Sequence, residues 1–271
     1  MTFASAMVPL DPGPCSSDRL HLACDLARQF DAFLVGVAAR EALPHRFYGR
    51  GAYINQNTVD CAGGRLDQEL ARLGAEFRRA CGQRERAEWR VARQDPMTFL
   101  TQQARAADLV VLSRYQDEAV EDWCACIEPG EAILRLGRPV LLVPPGTRTL
   151  AARRIVVAWK DAREARRTLS DALPFLRTAD VVLLVEVADK DDGTIRDVAR
   201  YLGHQGVSCT LLRRPISSRG IAAEILGVAQ SEGADLLIAG AYGHTRMRGL
   251  IFGSVTQALL ERTPVCSLMS H

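Results

Sequence analysis

The sequence has no apolar run near the roughly 18 residues that a membrane-crossing helix needs, so no spanning segment is expected. Residues 1–13 lack the basic stretch and the apolar core of a secretory leader. Together these absences read as a cytoplasmic chain without a membrane partner. Metal-ligand spacing is missing as well. The eight cysteines are Cys15, Cys24, Cys61, Cys81, Cys124, Cys126, Cys209 and Cys266, and in the cytoplasm they read as reduced thiols. Only Cys124 and Cys126 are close, and the single residue between them falls short of zinc-site spacing. Excess charge is also lacking: a net charge of +2 supplies no strong field for nucleic acid. The basic cluster of Arg163, Arg166 and Arg167 reads as a solvated helix face.

What is present suits two domains. A length of 271 residues can bury two cores, and 48% hydrophobic with 24% charged residues is ordinary for a globular chain. The chain also repeats itself. Ala107–Ser113 resembles Ala234–Gly240, Arg138–Val143 resembles Thr263–Leu268, and Ala6–Leu10 resembles Ile155–Trp159, in the same order. The spacing between matched segments changes, so the first copy carries an insertion of about 22 residues between its second and fourth strands. Its place is near 39–60, where Arg40–Asn57 is polar, aromatic and glycine-bearing. Pro144-Pro-Gly-Thr147 is a turn-rich linker. The expected domains are therefore 1–146 and 147–271.

Each copy reads as five strands alternating with helices, which implies an α/β fold of parallel sheets. In the second copy the strands are Arg154–Trp159, Asp180–Val187, Val207–Leu212, Ala234–Ala239 and Pro264–Met269. The expected helices are Ala162–Leu176, Thr194–His204, one capped by Ser217 or Ser218 and ending near Ser231, and one opening at Ser254. In the first copy Ser16–Phe30 is a helix and Ala32–Ala38 a strand. The doubly wound, Rossmann-like strand order is 3-2-1-4-5, with a crevice at the carboxyl ends of strands one and four. The apolar fifth strands, Val140–Val143 and Val265–Met269, would otherwise be exposed edges, so the two sheets are expected to pair there antiparallel.

Gly240 follows the fourth strand of the second copy, Gly243 lies three residues on, and Gly253-Ser254 opens the last helix. Glycine lets a ligand approach bare backbone, and a helix N-terminus presents unpaired amides and a positive dipole end to phosphate. Ser254 can cap the helix and donate its hydroxyl to phosphate. This motif, the duplicated five-strand plan and the Pro-Val last strand resemble the universal stress protein family in its tandem two-domain form. In that family the motif binds ATP. The resemblance implies that Gly240, Gly243, Gly253 and Ser254 hold the phosphates, with Val255 helping through its backbone. It also implies that Ala158 and Val187 line the adenine and ribose pocket.

Two positions depart from the family pattern. Its aspartate after strand one is Asp11 in the first copy but Lys160 in the second, with Asp161 next along; Lys160 can meet phosphate or solvent. In the first copy Ser113 and Gln116 stand for the first two glycines and Glu128-Pro129 for Gly-Ser. A carboxylate and a residue without an N–H oppose phosphate, so this copy is read as a degenerate loop. His244 and the arginines Arg246 and Arg248 lie within the second-copy loop. Mg²⁺ would accompany ATP through phosphates and water, with no catalytic residue or protein metal ligand named. The leading reading is an ATP-binding stress or signalling module with an unidentified protein partner. A slow ATPase or phosphotransferase is the second reading. The third is a nucleotide-free scaffold taking a lipid or small apolar ligand at His45–Asn57, with Phe47, Tyr48 and Tyr53. Association into a homodimer stays open.

Overall fold

Short β-branched and leucine-rich runs form most of the strands, and the near-complete burial of the inner ones follows from helices on both faces. The computed structural model describes residues 2–41, 56–114, 127–242 and 254–271, with side chains from residue 63 and residue 255 onward in the second and last stretches. The first half contains Ser5–Pro9 (β1), Ser16–Gln29 (α1), Phe33–Ala39 (β2), Gln56–Cys81 (α2), Ala87–Ala92 (β3), Pro96–Gln103 (α3), Leu109–Ser113 (β4), Pro129–Arg135 (α4) and Val140–Val143 (β5). The second contains Arg154–Trp159 (β6), Arg163–Asp171 (α5), Leu173–Leu176 (α6), Val181–Val187 (β7), Thr194–His204 (α7), Thr210–Arg214 (β8), Ile221–Ser231 (α8), Leu236–Gly240 (β9), Ser254–Arg262 (α9) and Cys266–Ser270 (β10).

The strands form one ten-stranded sheet in the order β3-β2-β1-β4-β5-β10-β9-β6-β7-β8. Each half has the 3-2-1-4-5 order with parallel neighbours. The halves join where β5 runs antiparallel to β10, with Leu142 opposite Ser267, Leu141 opposite Leu268 and Val140 opposite Met269. All of β5 and β10 is buried, which is the outcome expected from two apolar edges meeting. The edges left over are β3 and β8, the least buried strands. A second junction is aromatic: Phe175 of α6 packs on Phe3 and Phe30 at ring separations of 5.1 and 5.3 Å.

The Ala-Asp-Leu segments shared by the two copies have a common structural task. Asp108 accepts from the Ala4 and Ser5 amides at 2.9 and 3.0 Å, at the entry to β1. Asp235 does the same for Arg153 and Arg154, at 2.8 and 3.0 Å, at the entry to β6. One carboxylate thus satisfies two backbone donors that the end of a strand would leave unpaired.

Several local expectations need correction. The helix expected over Ala162–Leu176 is two pieces, α5 and α6. Pro174 lacks an N–H and its ring crowds the preceding turn, so the continuous helix is broken at Ala172. The third strand of this half starts at Thr210 rather than Val207. Gly206, at φ 78°, ends α7, and the Val207 amide donates to the Leu202 carbonyl at 2.9 Å, a helix-terminating bond. Neither Ser217 nor Ser218 caps α8. Gly220 holds that position, while the Ser217 hydroxyl accepts from the Arg219 amide at 3.2 Å. In the first half, residues 39 and 56–60, expected in a loop, belong to β2 and α2. The extra chain goes partly into α2, which has 26 residues where α7 has 11. Phe47, Tyr48 and Tyr53 lie outside the described residues.

Candidate functional site

Strands β6 and β9 lie side by side, with Ala158 opposite Ala239. Their connections leave to opposite faces, so their carboxyl ends bound the crevice of a doubly wound sheet. Alternation along β6 and β7 turns Ala158 and Val187 to the face covered by α8 and α9. Both are half-buried, as is Val255 in the first turn of α9. The structure therefore brings these three residues to one end of one face. Gly243, Gly253 and the loop between them, with His244, Arg246 and Arg248, lie outside the described residues. Ser254 opens α9, as the sequence indicates.

Gly240 has a packing reason of its own. A Cβ there would stand 2.6 Å from the Ala165 nitrogen, 2.8 Å from the Glu164 carbonyl carbon and 2.9 Å from the Ala165 Cα. The bare side of this glycine faces the start of α5. Beyond it, Tyr242 adopts φ 64°, a left-handed conformation uncommon outside glycine. Its amide donates to Thr256 Oγ1 at 3.2 Å, tying the start of the loop to the first turn of α9. Burial, and then the nearby Glu128 carboxylate, push its phenol well above the usual tyrosine range. On the opposite face of the β7 end, burial raises the Glu186 carboxyl above its usual range. Asp192 and Asp191 act in the same sense, against the neighbouring Arg213.

The residues after β6 are drawn into surface pairs. Asp161 accepts from Arg166 at 2.7 and 3.0 Å, and Lys160 is exposed. Arg163, Arg166 and Arg167 all stand in solvent on α5, and Arg167 reaches across to the Gly137 carbonyl at 2.8 Å.

The same crevice in the first half is filled by the chain's own charges. Arg19 of α1 is buried, with 4% exposure. It donates to the Pro9 carbonyl at 3.0 Å, to Ser113 Oγ at 2.5 Å and to Asp11 Oδ2 at 2.7 Å. One guanidinium thus spans the carboxyl ends of β1 and β4. At the start of α4 the Glu128 carboxylate accepts from the Gly130 amide at 2.9 Å and from the Glu131 amide. The hollow beside it, lined by Pro9, Asp11, Ala38, Phe99 and Ile127, encloses about 10 Å³, room for one water at most. Sequence reasoning singled out Asp11, Ser113 and Glu128 but missed Arg19, whose signal is a cation at a core-facing position of an otherwise apolar helix face.

The repeat puts Thr168 where the first half has Arg19, and Gly253 where it has Glu128. The Thr168 hydroxyl donates to the Glu164 carbonyl at 2.7 Å and accepts from the Ser270 amide at 3.2 Å. Those bonds tie it to the α5 backbone and to the last residue of β10, where a threonine cannot reach across the ends of β6 and β9 as the longer Arg19 does across β1 and β4. Glycine at position 253 has no side chain with which to cap α9. Among the described residues, no three or more His, Cys, Asp or Glu side chains are grouped to hold a metal ion, and no helix is long and apolar enough to cross a membrane.

Comparison with known proteins agrees with this architecture. Residues 216–269 match the model of the universal stress protein family. A universal stress protein from Archaeoglobus fulgidus DSM 4304 is similar in structure over 98% of this chain and 95% of its own, with a TM-score of 0.70 at 15% identity. A putative universal stress protein from Pseudomonas aeruginosa UCBPP-PA14 covers 99% of this chain and 93% of its own, with a TM-score of 0.60 at 16% identity. A functionally unknown protein from Pseudomonas aeruginosa PAO1 covers 99% and 92%, with a TM-score of 0.59 at 15% identity. No curated protein matches the sequence. The second half of this chain thus carries a universal stress protein family match, and the whole chain has the tandem α/β fold of solved universal stress proteins.

Proposed function

We propose that the chain is a nucleotide-responsive stress or signalling module with one adenine-nucleotide site, in its second half. The phosphates rest on the amides opening α9 and on the loop from Gly240 to Ser254, and Ala158 and Val187 flank the adenine and ribose. The domains are 1–146, a degenerate partner that binds no nucleotide, and 147–271, the binding domain. Gly240 contributes by letting α5 approach, and Gly243, Gly253, Ser254 and the Val255 backbone contribute the phosphate contacts. Mg²⁺ arrives with ATP, held by phosphate and water. The reading places the chain in the cytoplasm, with a protein partner that senses the ordered loop.

The observation that carries this reading is the contrast between two copies of one crevice. In the first, Arg19 lies across the strand ends and Glu128 occupies the amides of the following helix. In the second, both matching side chains are replaced, one by Thr168 and one by Gly253. A carboxylate sitting on two amides demonstrates the preference of that helix start for an anion. Without a carboxylate of its own, the second copy can offer the same place to phosphate.

Thermal unfolding tests this. ATP at about 100 times its dissociation constant adds about 2.7 kcal/mol to the stability of a protein that binds it only when folded. The midpoint of the full chain is expected to rise with ATP, whereas Gly253→Glu, which copies the Glu128 cap, is expected not to respond. An equal rise in both proteins would remove the phosphate assignment.

A further inference from the structure

Cys24 and Cys81 are 57 positions apart in sequence, yet α1 and α2 bring their sulfur atoms to 4.0 Å. Cys24 lies buried within α1 at 4% exposure, and Cys81 is the half-buried last residue of α2. Gly82, at φ 62°, ends the helix directly after it. Arg84, two residues further on, donates to the carbonyls of Ala27 and Ala32 at 2.8 and 2.6 Å. Its guanidinium is thereby fixed against the C-terminal end of α1, close to both thiols. The hydrogen bond between the two sulfurs holds the Cys81 thiol below its usual range, and the Arg84 and Arg28 cations act in the same sense. The same hydrogen bond, with burial, pushes Cys24 the other way. The more accessible sulfur is therefore the better nucleophile, and the buried one waits beside it.

We infer that Cys24 and Cys81 are a peroxide-sensitive dithiol that closes to an intrachain disulfide joining α1 to α2. The Cys81 thiolate attacks one oxygen of a peroxide such as H₂O₂. An S–O bond forms, the O–O bond breaks, and the departing hydroxide takes a proton to become water. Cys24 sulfur then attacks the Cys81 sulfenic acid. The S–S bond forms, the S–O bond breaks, and the Cys24 proton leaves with hydroxide as a second water. One peroxide is reduced by two electrons and two thiols are oxidised. An external dithiol reverses the change. The sulfurs must close from 4.0 Å to about 2.05 Å, a shift that side-chain torsion and the glycine-terminated last turn of α2 can absorb.

Stepwise H₂O₂ addition to the full chain, followed by alkylation and peptide mass mapping, tests the inference. The first product is expected to be a Cys24–Cys81 linked peptide two hydrogens lighter than its parts, formed before oxidation of Cys209 or Cys266, whose thiols burial pushes up. Dithiothreitol should restore both thiols. In Cys24→Ala, dimedone should capture a sulfenic acid on Cys81; if that variant does not fold, mapping of the unaltered protein decides alone. Oxidation of Cys81 no faster than Cys209, or a first linkage to any other cysteine, would overturn the inference.

Discussion

Arg19→Ala is expected to lower the unfolding free energy by about 3 kcal/mol, because it removes a buried guanidinium and leaves the part-buried Asp11 carboxylate without its cation. The side chain is 4% exposed and its partner Asp11 17%. Three acceptors lose their donor at once: the Pro9 carbonyl, the Asp11 carboxylate and the Ser113 hydroxyl. Arg19→Lys should recover only part of the loss, since a single ammonium cannot reproduce the fork that reaches β1, β4 and Asp11 together. Urea unfolding measures the difference as a lower midpoint at unchanged slope. The first half is assigned no ligand, so ATP binding by the folded variant should be unaltered. A change below about 1 kcal/mol would mean that water replaces the guanidinium at little cost.

Gly240→Ala should lower stability by about 2–3 kcal/mol with no nucleotide present. The new methyl group would meet the Glu164–Ala165 backbone at 2.6–2.9 Å, and backbone at the start of a helix cannot swing aside as the tip of a side chain can. The lost chain entropy of unfolded glycine would return less than about 1 kcal/mol of this. The first half has Ser113 at the matching place, where the side chain bonds Arg19. Differential calorimetry of the ligand-free protein is the relevant measurement. An unchanged midpoint would contradict the packing role of Gly240 and return it to the phosphate loop alone.

The architecture was legible because its main terms are local and repeated. Buried strands show as short apolar runs, and the last strands, Val140–Val143 and Val265–Met269, show as edges that need a partner. The element boundaries were less legible wherever one atom decides them. Pro174 breaks a helix whose apolar period runs straight through it, and Gly220 displaces two serines that look like better caps. The start of α2 carries no apolar period, so a polar, glycine-bearing segment read as loop. Gly240 stood out in the sequence as a motif glycine, but its packing against α5 did not. That packing is set by the distance to a helix 75 positions earlier in the chain. Arg19, bonded to Ser113, and the Cys24–Cys81 pair are contacts between residues 94 and 57 positions apart, which no spacing along the chain reveals.

The central claim is that two crevices of common design leave one nucleotide site. Calorimetric titration of the full chain with ATP counts the sites directly. The account predicts one ATP per chain, unaltered in Glu128→Gln and abolished in Gly253→Glu. Two ATP per chain, or one that survives Gly253→Glu, would contradict it.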